Sequence, residues 1–271
     1  MTLSEIDGVV LVGAGKMGLA LARGWLAAGL KPSALTLVDP VPQEATLAFA
    51  AEEGVALVGT PPAHHARVVV LAVKPQIMAD VLPGLKPVLG PHTLAVSIAA
   101  GISLDALLSG LATHRVVRAM PNTPAQIGEG MTGAVAAPGV SAEDLVLAEE
   151  LLSASGDLLW FDDEKKIDQV TAVSGSGPAY VFFMVEALAA AGEAEGLAPE
   201  DAMHLARQTV IGAAALMEED PTDAATLRKN VTSPNGTTAA ALAVLMADDG
   251  LVALMKRAVK AARQRSEELG K

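Results

Sequence analysis

Residues 9–18 read VVLVGAGKMG, and this stretch decides the fold class. An apolar run enters a G-x-G-x-x-G turn, and a helical pattern of apolar residues follows it. Gly13 permits the turn, Gly15 lets a phosphate approach the backbone, and Gly18 lets the helix pack against its strand. The sequence therefore predicts a dinucleotide-binding loop, with an ordinary turn as the alternative. The predicted cofactor-binding residues here are Gly13, Ala14, Gly15, Lys16, Met17 and Gly18.

Asp39 follows a second apolar run, ALTLV at 34–38. It lies about 20 residues beyond the glycine loop, where an acidic residue usually meets the adenosine ribose 2′-hydroxyl. A carboxylate there would repel a 2′-phosphate, and residues 40–44 contain no Lys or Arg. Asp39 thus favours NADH over NADPH. The alternative is that Asp39 only caps the turn at Pro40.

Composition limits the class of protein. The chain has 271 residues, enough for one large or two ordinary domains. Its formal charge of −12 argues against a general nucleic-acid binder. The absence of cysteine excludes disulfides, thiolate zinc sites and cysteine nucleophiles, and we expect no metal site. No signal peptide or membrane span is expected, so a cytoplasmic protein is predicted.

Strand-like and helical patterns alternate over residues 1–162. This alternation predicts an α/β fold with a mostly parallel sheet. Expected strands include 68–73, 93–98, 115–120 and 157–161, and expected helices include 75–87, 103–111 and 141–154. Residues 163–271 lack strand signals and predict an all-helical domain, with helices over 164–194, 199–218, 222–231 and 237–268. Because these helices are apolar nearly all round, a partner chain is expected to cover them.

Three loops follow predicted strands, where ligands bind in open α/β sheets. They are LAVKPQ at 71–76, SIAAG at 97–101 and RAMPNTP at 118–124. The small residues at 97–101 would let a flat nicotinamide lie against the backbone. Two further turns, SGSGP at 174–178 and TSPNGTT at 232–238, are expected to open helices. Paired helix N-termini favour an anionic substrate, although plain turns, packing and capping remain the structural alternatives.

Taken together, the motifs resemble those of the pyrroline-5-carboxylate reductase family over nearly the whole chain. They are GAGKMG at 13–18, AVKPQ at 72–76, SIAAGIS at 97–103, RAMPNTPAQIGEG at 118–130, TAVSGSGPAYVF at 171–182 and VTSPNGTT at 231–238. The resemblance implies an N-terminal Rossmann-type domain and an all-α C-terminal dimerisation domain, in dimers that often assemble into decamers. It also implies reduction of the cyclic imine 1-pyrroline-5-carboxylate to L-proline with NADPH or NADH.

The resemblance carries residue roles to matching positions. Cofactor-binding positions beyond the glycine loop and Asp39 are Ala72, Val73, Lys74, Pro75, Ala99, Ala100 and, from a partner subunit, Asn230. Substrate-binding positions are Met120, Asn122, Thr123, Pro124, Ser174, Gly175, Ser176, Gly177, Pro178, Ser233, Gly236 and Thr237. Thr238 is the expected catalytic residue, hydrogen-bonded to the ring nitrogen, and Glu164 is a weaker proton-donor candidate.

Two positions depart from the family pattern. Asn235 stands where the family often has glycine, and asparagine tolerates a left-handed backbone better than most residues. Asp39 stands where NADPH-preferring relatives tend to carry small hydroxyl residues.

Two other functions are alternatives to the reductase. A β-hydroxyacid dehydrogenase would need a lysine on the first long helix of the second domain, and residues 180–194 contain none. A nucleotide-binding sensor remains open from fold alone, but it would need no second, hydroxyl-rich ligand site.

Overall fold

Eight strands form one sheet in the computed structural model, which describes residues 2–270. They are β1 Val9–Val12, β2 Leu35–Val38, β3 Ala56–Val58, β4 Val68–Leu71, β5 Leu94–Ser97, β6 Val116–Met120, β7 Gly130–Ala136 and β8 Gly156–Phe161. Their spatial order is β3-β2-β1-β4-β5-β6-β7-β8. Every neighbouring pair is parallel except β6 with β7. The predicted mostly parallel sheet is confirmed.

Helices connect and follow these strands. They are α1 Lys16–Ala27, α2 Glu44–Glu53, α3 Met78–Val81, α4 Leu104–Leu111, α5 Ala142–Ser153, α6 Lys166–Val170, α7 Gly177–Ala194, α8 Pro199–Glu219, α9 Ala224–Asn230, α10 Thr237–Leu245 and α11 Leu251–Leu269. The long helices predicted beyond residue 163 are present, with breaks inside the first and last predicted segments.

Side chains of β1 alternate between two buried clusters. Leu11 packs with Trp25 of α1 in one cluster, while Val10 packs with Leu107 of α4 in the other. Successive strand residues point to opposite faces, so both faces of the sheet are covered. This burial explains why β1 and β4 are apolar throughout.

The chain divides into two compact units, one reaching Ser176 and including the residues from Ala262 onward, the other spanning Gly177–Ala261. The first contains the sheet, α6 and the last turns of α11. The domain boundary expected between residues 162 and 163, where the sequence changes from mixed to helical patterns, stays a prediction.

The second unit buries few of its apolar side chains. Ala189, Ala202 and Ala206 pack between α7 and α8. Phe182 and Phe183 of α7 are 63% and 68% exposed. A helix apolar on several sides must be covered, which supports the expected oligomer. By length and composition alone, the 29-residue helical run Lys166–Ala194 is also long and apolar enough to cross a membrane, so the expectation of no membrane span stays a prediction.

The predicted helix over 75–87 is broken into 3-10 turns at Pro75–Ile77 and Leu82–Val88 around the short α3. Pro83 and Pro87 explain the break, since proline lacks an N–H and clashes with the preceding turn. Strands β3 and β7 were not predicted. The sequence of β7, GMTGAVA, contains two glycines and no clear alternation, so its pattern resembles a loop.

Candidate active site

The glycine turn lies where the order of the sheet reverses. Strand β1 lies between β2 and β4. Gly13 directly follows β1, and Ala72 directly follows β4. Gly13 has a φ of 93°, and a Cβ there would lie 2.8 Å from the Ala72 carbonyl carbon. Only glycine fits both conditions. Nucleotides bind in the crevice beyond such a switch point.

The start of α1 leaves space for a phosphate. A Cβ at Gly18 would lie 2.3 Å from the Gly13 carbonyl oxygen, so the helix packs closely on the turn. A Cβ at Gly15, the N-cap of α1, would meet no atom within 4 Å. Backbone N–H groups at a helix N-terminus bind phosphate well. The glycine turn therefore fits a dinucleotide.

Ala14 is held from two sides. Its N–H donates to Asp39 Oδ2 at 3.2 Å, and its carbonyl accepts from the buried Thr46 Oγ1 at 2.8 Å. Asp39 Oδ1 also accepts from Val41 N–H at 3.0 Å. Asp39 thus caps its own turn and contacts the glycine loop. Thr46 was missed because nothing local in α2 links it to a residue 32 positions earlier.

The loops after β4, β5 and β6 leave the same edge of the sheet, since these strands are parallel. Val73 lies beside the glycine turn, with its Cγ1 2.9 Å from a Cβ built at Gly13, and Lys74 is exposed. Ala99 is buried and Ala100 is half-buried. The glycine turn and the three other strand-end loops singled out in the sequence therefore belong to one edge of the first unit.

Asn122 joins the loop after β6 to the segment before α7. Its Oδ1 accepts from Met131 N–H at 2.9 Å, and its Nδ2 donates to Ser174 Oγ at 3.2 Å and to the Ser174 carbonyl at 3.4 Å. A Cβ at Gly175 would lie 2.8 Å from Met120 Cε. Two motifs more than 50 residues apart in sequence are thereby brought into direct contact.

The SGSGP segment differs from its prediction. Thr171–Gly175 is π-helical and continues α6 toward α7, so this segment does not open an isolated helix as expected. Pro178 has no N–H to offer the Ser174 carbonyl four residues earlier, and Asn122 supplies a donor instead. Such π-turns are frequent at functional sites.

Glu164 is engaged with two groups of the first unit. Its Oε1 accepts from Leu104 N–H at 2.7 Å and from Arg118 Nη1 at 2.6 Å. Glu164 thus accepts from two donors at once, and its role as the weaker proton-source candidate stays a prediction.

In the second unit, the TSPNGTT turn opens α10 as predicted. Asn235 has a left-handed backbone with a φ of 59°, a conformation that asparagine tolerates better than most residues. Gly236 is the N-cap, and a Cβ on it would lie 2.4 Å from Ser233 Oγ. Thr237 is exposed and Thr238 is half-buried at the first two helical positions, and the exposed Asn230 ends α9.

Comparison with known proteins identifies relatives over the whole chain. The family described as "Pyrroline-5-carboxylate reductase dimerisation" matches residues 164–269, and "NADP oxidoreductase coenzyme F420-dependent" matches residues 8–101. The pyrroline-5-carboxylate reductase of Pseudomonas aeruginosa is 45% identical, with 96% of each chain covered.

Solved structures agree. A pyrroline-5-carboxylate reductase from Coxiella burnetii is 36% identical, with a TM-score of 0.90 over 98% of this chain and 100% of that one. The Plasmodium falciparum pyrroline carboxylate reductase with NADP bound is 30% identical, with a TM-score of 0.83 and 99% of each chain covered.

Proposed function

Since the chain belongs to the pyrroline-5-carboxylate reductase family, we propose which of its residues carry out the reaction of that family. The chain is an NAD(P)H-dependent oxidoreductase that reduces the C=N bond of 1-pyrroline-5-carboxylate to give L-proline, in proline biosynthesis. It contains the family's dimerisation domain and forms an oligomer.

The cofactor is proposed to bind along the carboxyl edge of the sheet. The pyrophosphate lies on the N–H groups at Gly15 and Lys16, a role supported by the open space at Gly15. Ala72, Val73, Lys74 and Pro75 flank it, and Ala99 and Ala100 face the nicotinamide. Asn230 of a partner subunit reaches the same cofactor.

NADH is proposed as the preferred cofactor. Asp39 would accept a hydrogen bond from the ribose 2′-hydroxyl and repel a 2′-phosphate. The support is its position beside the glycine loop, where its carboxylate already contacts Ala14.

The substrate carboxylate is proposed to bind the start of α10, through Ser233, Gly236 and Thr237. A helix N-terminus favours an anion through its free N–H groups and its dipole. Further substrate-binding residues are proposed in two other segments, namely Met120, Asn122, Thr123 and Pro124, and Ser174, Gly175, Ser176, Gly177 and Pro178. The single observation that carries this proposal is the hydrogen bonding of Asn122 to Ser174, because it unites those two segments.

Thr238 is the proposed catalytic residue. A nicotinamide cofactor, when bound, would supply a hydride to the imine carbon. The electron pair of the C=N π bond then remains on the ring nitrogen, whose proton comes from water or from substrate already protonated in solution. The Thr238 hydroxyl is hydrogen-bonded to that nitrogen and orients the ring. A protonated imine is already electrophilic, so positioning matters more than a strong acid or base.

The first test is oxidation of NADH and NADPH, side by side, with 1-pyrroline-5-carboxylate. We expect turnover with both cofactors and a higher kcat/KM with NADH. Absence of turnover with either cofactor would contradict the proposed function, and related cyclic imines would then be tried. A preference for NADPH would contradict the role of Asp39 alone.

The wider setting is proposed as a cytoplasmic homo-oligomer, from a dimer up to a decamer, with no nucleic-acid or membrane partner. The formal charge of −12 supports the exclusion of nucleic acid. Native mass spectrometry would give the number of subunits, and fractionation of cells would give the compartment.

A further inference from the structure

One carboxylate oxygen joins the start of α4 to strand β6. Glu164 Oε1 accepts from both Leu104 N–H and Arg118 Nη1, at 2.7 Å and 2.6 Å. Glu164 itself lies between β8 and α6. Hydrogen bonds to charged groups are about twice as strong as neutral ones, so this oxygen is a firm link between its two donors.

The two donors adjoin two different segments, one proposed to bind cofactor and the other proposed to bind substrate. Leu104 begins α4 and directly follows the SIAAGIS segment, which contains Ala99 and Ala100. Arg118 lies in β6, two residues before Met120 and four before Asn122. Glu164 therefore couples the proposed nicotinamide-facing loop to the proposed substrate-facing loop.

Burial makes the link hard to replace. The Arg118 side chain is only 6% exposed, and Glu164 is 30% exposed. Within residues 2–270, Glu164 is the one carboxylate at ion-pair distance from Arg118, whose Nε has no hydrogen-bond partner. Removing the carboxylate would leave a buried guanidinium without a counter-charge, which forces local rearrangement.

The last turns of α11 pack against the same loop. A Cβ at Gly101 would lie 3.1 Å from the Leu269 carbonyl carbon, and Ser266 Oγ donates to Asp168 Oδ1 of α6 at 2.7 Å. The loop after β5 is thus fixed by α11 near Gly101 and by Glu164 at Leu104. Its backbone position depends on both.

We propose that Glu164 is a positioning residue for hydride transfer, because it sets the separation between the loop after β5 and the end of β6. This inference rests on the proposed function. The hydrogen bonds of Glu164 go to Leu104 and Arg118, whereas the glycine turn is held by Asp39 and Thr46, which contact Ala14. Loss of Glu164 should therefore disturb the nicotinamide end of the cofactor and leave binding of the adenosine end unchanged.

The test compares Glu164→Ala and Glu164→Gln with the wild type. Glutamine keeps an oxygen that can accept from Leu104 N–H but loses the charge opposite Arg118. We expect kcat to fall by about tenfold or more in the alanine variant and by less in the glutamine variant, since small misplacements slow hydride transfer strongly. The Kd of ADP-ribose should stay within about twofold of the wild-type value, as expected for a link whose hydrogen bonds go to Leu104 and Arg118.

A matched control is Arg115→Gln, which removes another partly buried ion pair, to Asp144, at the opposite end of β6. It should lower the melting temperature without changing kcat. An unchanged kcat in a folded Glu164→Ala variant, or an equal fall in the control, would overturn the inference.

The pH profile of kcat separates positioning from proton donation. We expect its shape to be the same in Glu164→Gln and the wild type. Loss of a titrating limb, with glutamine as harmful as alanine, would overturn positioning in favour of acid catalysis. Absence of wild-type turnover would overturn the proposed function, and this inference with it, whereas the variant outcomes concern Glu164 alone.

Discussion

The carboxylate of Asp39 accepts a hydrogen bond from the backbone N–H of Ala14, at 3.2 Å. The residue proposed to select the cofactor therefore also fixes the loop proposed to hold its phosphates. Selection and binding are coupled in one side chain, and a substitution at Asp39 is expected to change both.

Asp39→Ser should shift cofactor use toward NADPH. A serine removes the charge that repels a 2′-phosphate, so we expect the ratio of kcat/KM for NADH to that for NADPH to fall by about tenfold, or roughly 1.4 kcal/mol. Steady-state kinetics with each cofactor provides the measurement. Thr46→Val, which removes only the hydroxyl that donates to the Ala14 carbonyl, is the control and should weaken both cofactors alike. A ratio that stays fixed in Asp39→Ser would make Asp39 a turn cap only.

Thr238→Ala should lower kcat/KM for the imine by more than about tenfold, near the 1.4 kcal/mol of one good hydrogen bond. Thr238→Ser keeps the hydroxyl and should retain most of the activity. If the Thr238→Ala variant were as active as the wild type, Thr238 would have no part in the reaction.

Asn122→Ala should reduce both activity and stability. It leaves Met131 N–H and the Ser174 carbonyl without their partner, and an unsatisfied buried group costs about 1–3 kcal/mol. Asn122→Asp keeps the acceptor for Met131 but loses the donor to Ser174, so it isolates the second contact. Urea denaturation together with kcat/KM would measure both effects, and a fully active alanine variant would contradict the role of this link.

Asp144→Asn should destabilise the fold without affecting turnover. Asp144 is fully buried and pairs with Arg67 and Arg115, residues that precede β4 and β6 and so lie away from the carboxyl edge of the sheet. Removing one partner of a buried ion pair costs about 3–5 kcal/mol, and the partial exposure of the arginines favours the lower figure. Glu143→Gln removes an exposed partner of Arg67 and should cost under about 1 kcal/mol. Equal effects in urea denaturation would refute this assignment.

Asp223 makes the stability of α9 depend on pH. Its carboxylate accepts hydrogen bonds from Thr226, which hold its pKa below the ordinary value of 3.8. A pKa lowered by folding gives a contribution that is present above the unfolded value and is lost as the pH falls through the folded value. Asp223→Ala should therefore melt at a lower temperature at pH 7, and the charge-dependent part of the difference should be lost as the pH falls from 3.8 through the lower folded pKa.

Asp223→Asn is the matched control for that titration. Asparagine is as good an N-cap as aspartate, so it should melt like the wild type at pH 7 and show no change from this position on acidification. A pH-independent difference between the alanine variant and the wild type would show that the charge is not involved.

Local patterns predicted most of the fold. The glycine turn and strands β1 and β4 were predicted because their structure depends on residues adjacent in sequence. Ser141 caps α5 as its sequence indicates. Strand β7 was missed because its pairing with β6, rather than its own composition, makes it a strand. Pro178 has the local sequence pattern of a helix start. The prediction was nevertheless incomplete, because residues 171–175 before it are themselves helical.

The sequence predicted which segments contribute to the site but did not predict how those segments contact one another. Asn122 and Ser174 were both chosen, yet their hydrogen bond joins positions 52 residues apart, and sequence spacing gives no distance for such a pair. Thr46 and the coupling role of Glu164 depend on the same kind of long-range contact.

The close approach of the chain's last residues to Gly101 affects how the enzyme should be handled. A Cβ at Gly270 would lie 2.9 Å from the Gly101 carbonyl oxygen. A side chain in place of Gly270 would press on the loop that contains Ala99 and Ala100. Proteolysis that trims the last turn of α11 should therefore be avoided during purification, because it would release this loop.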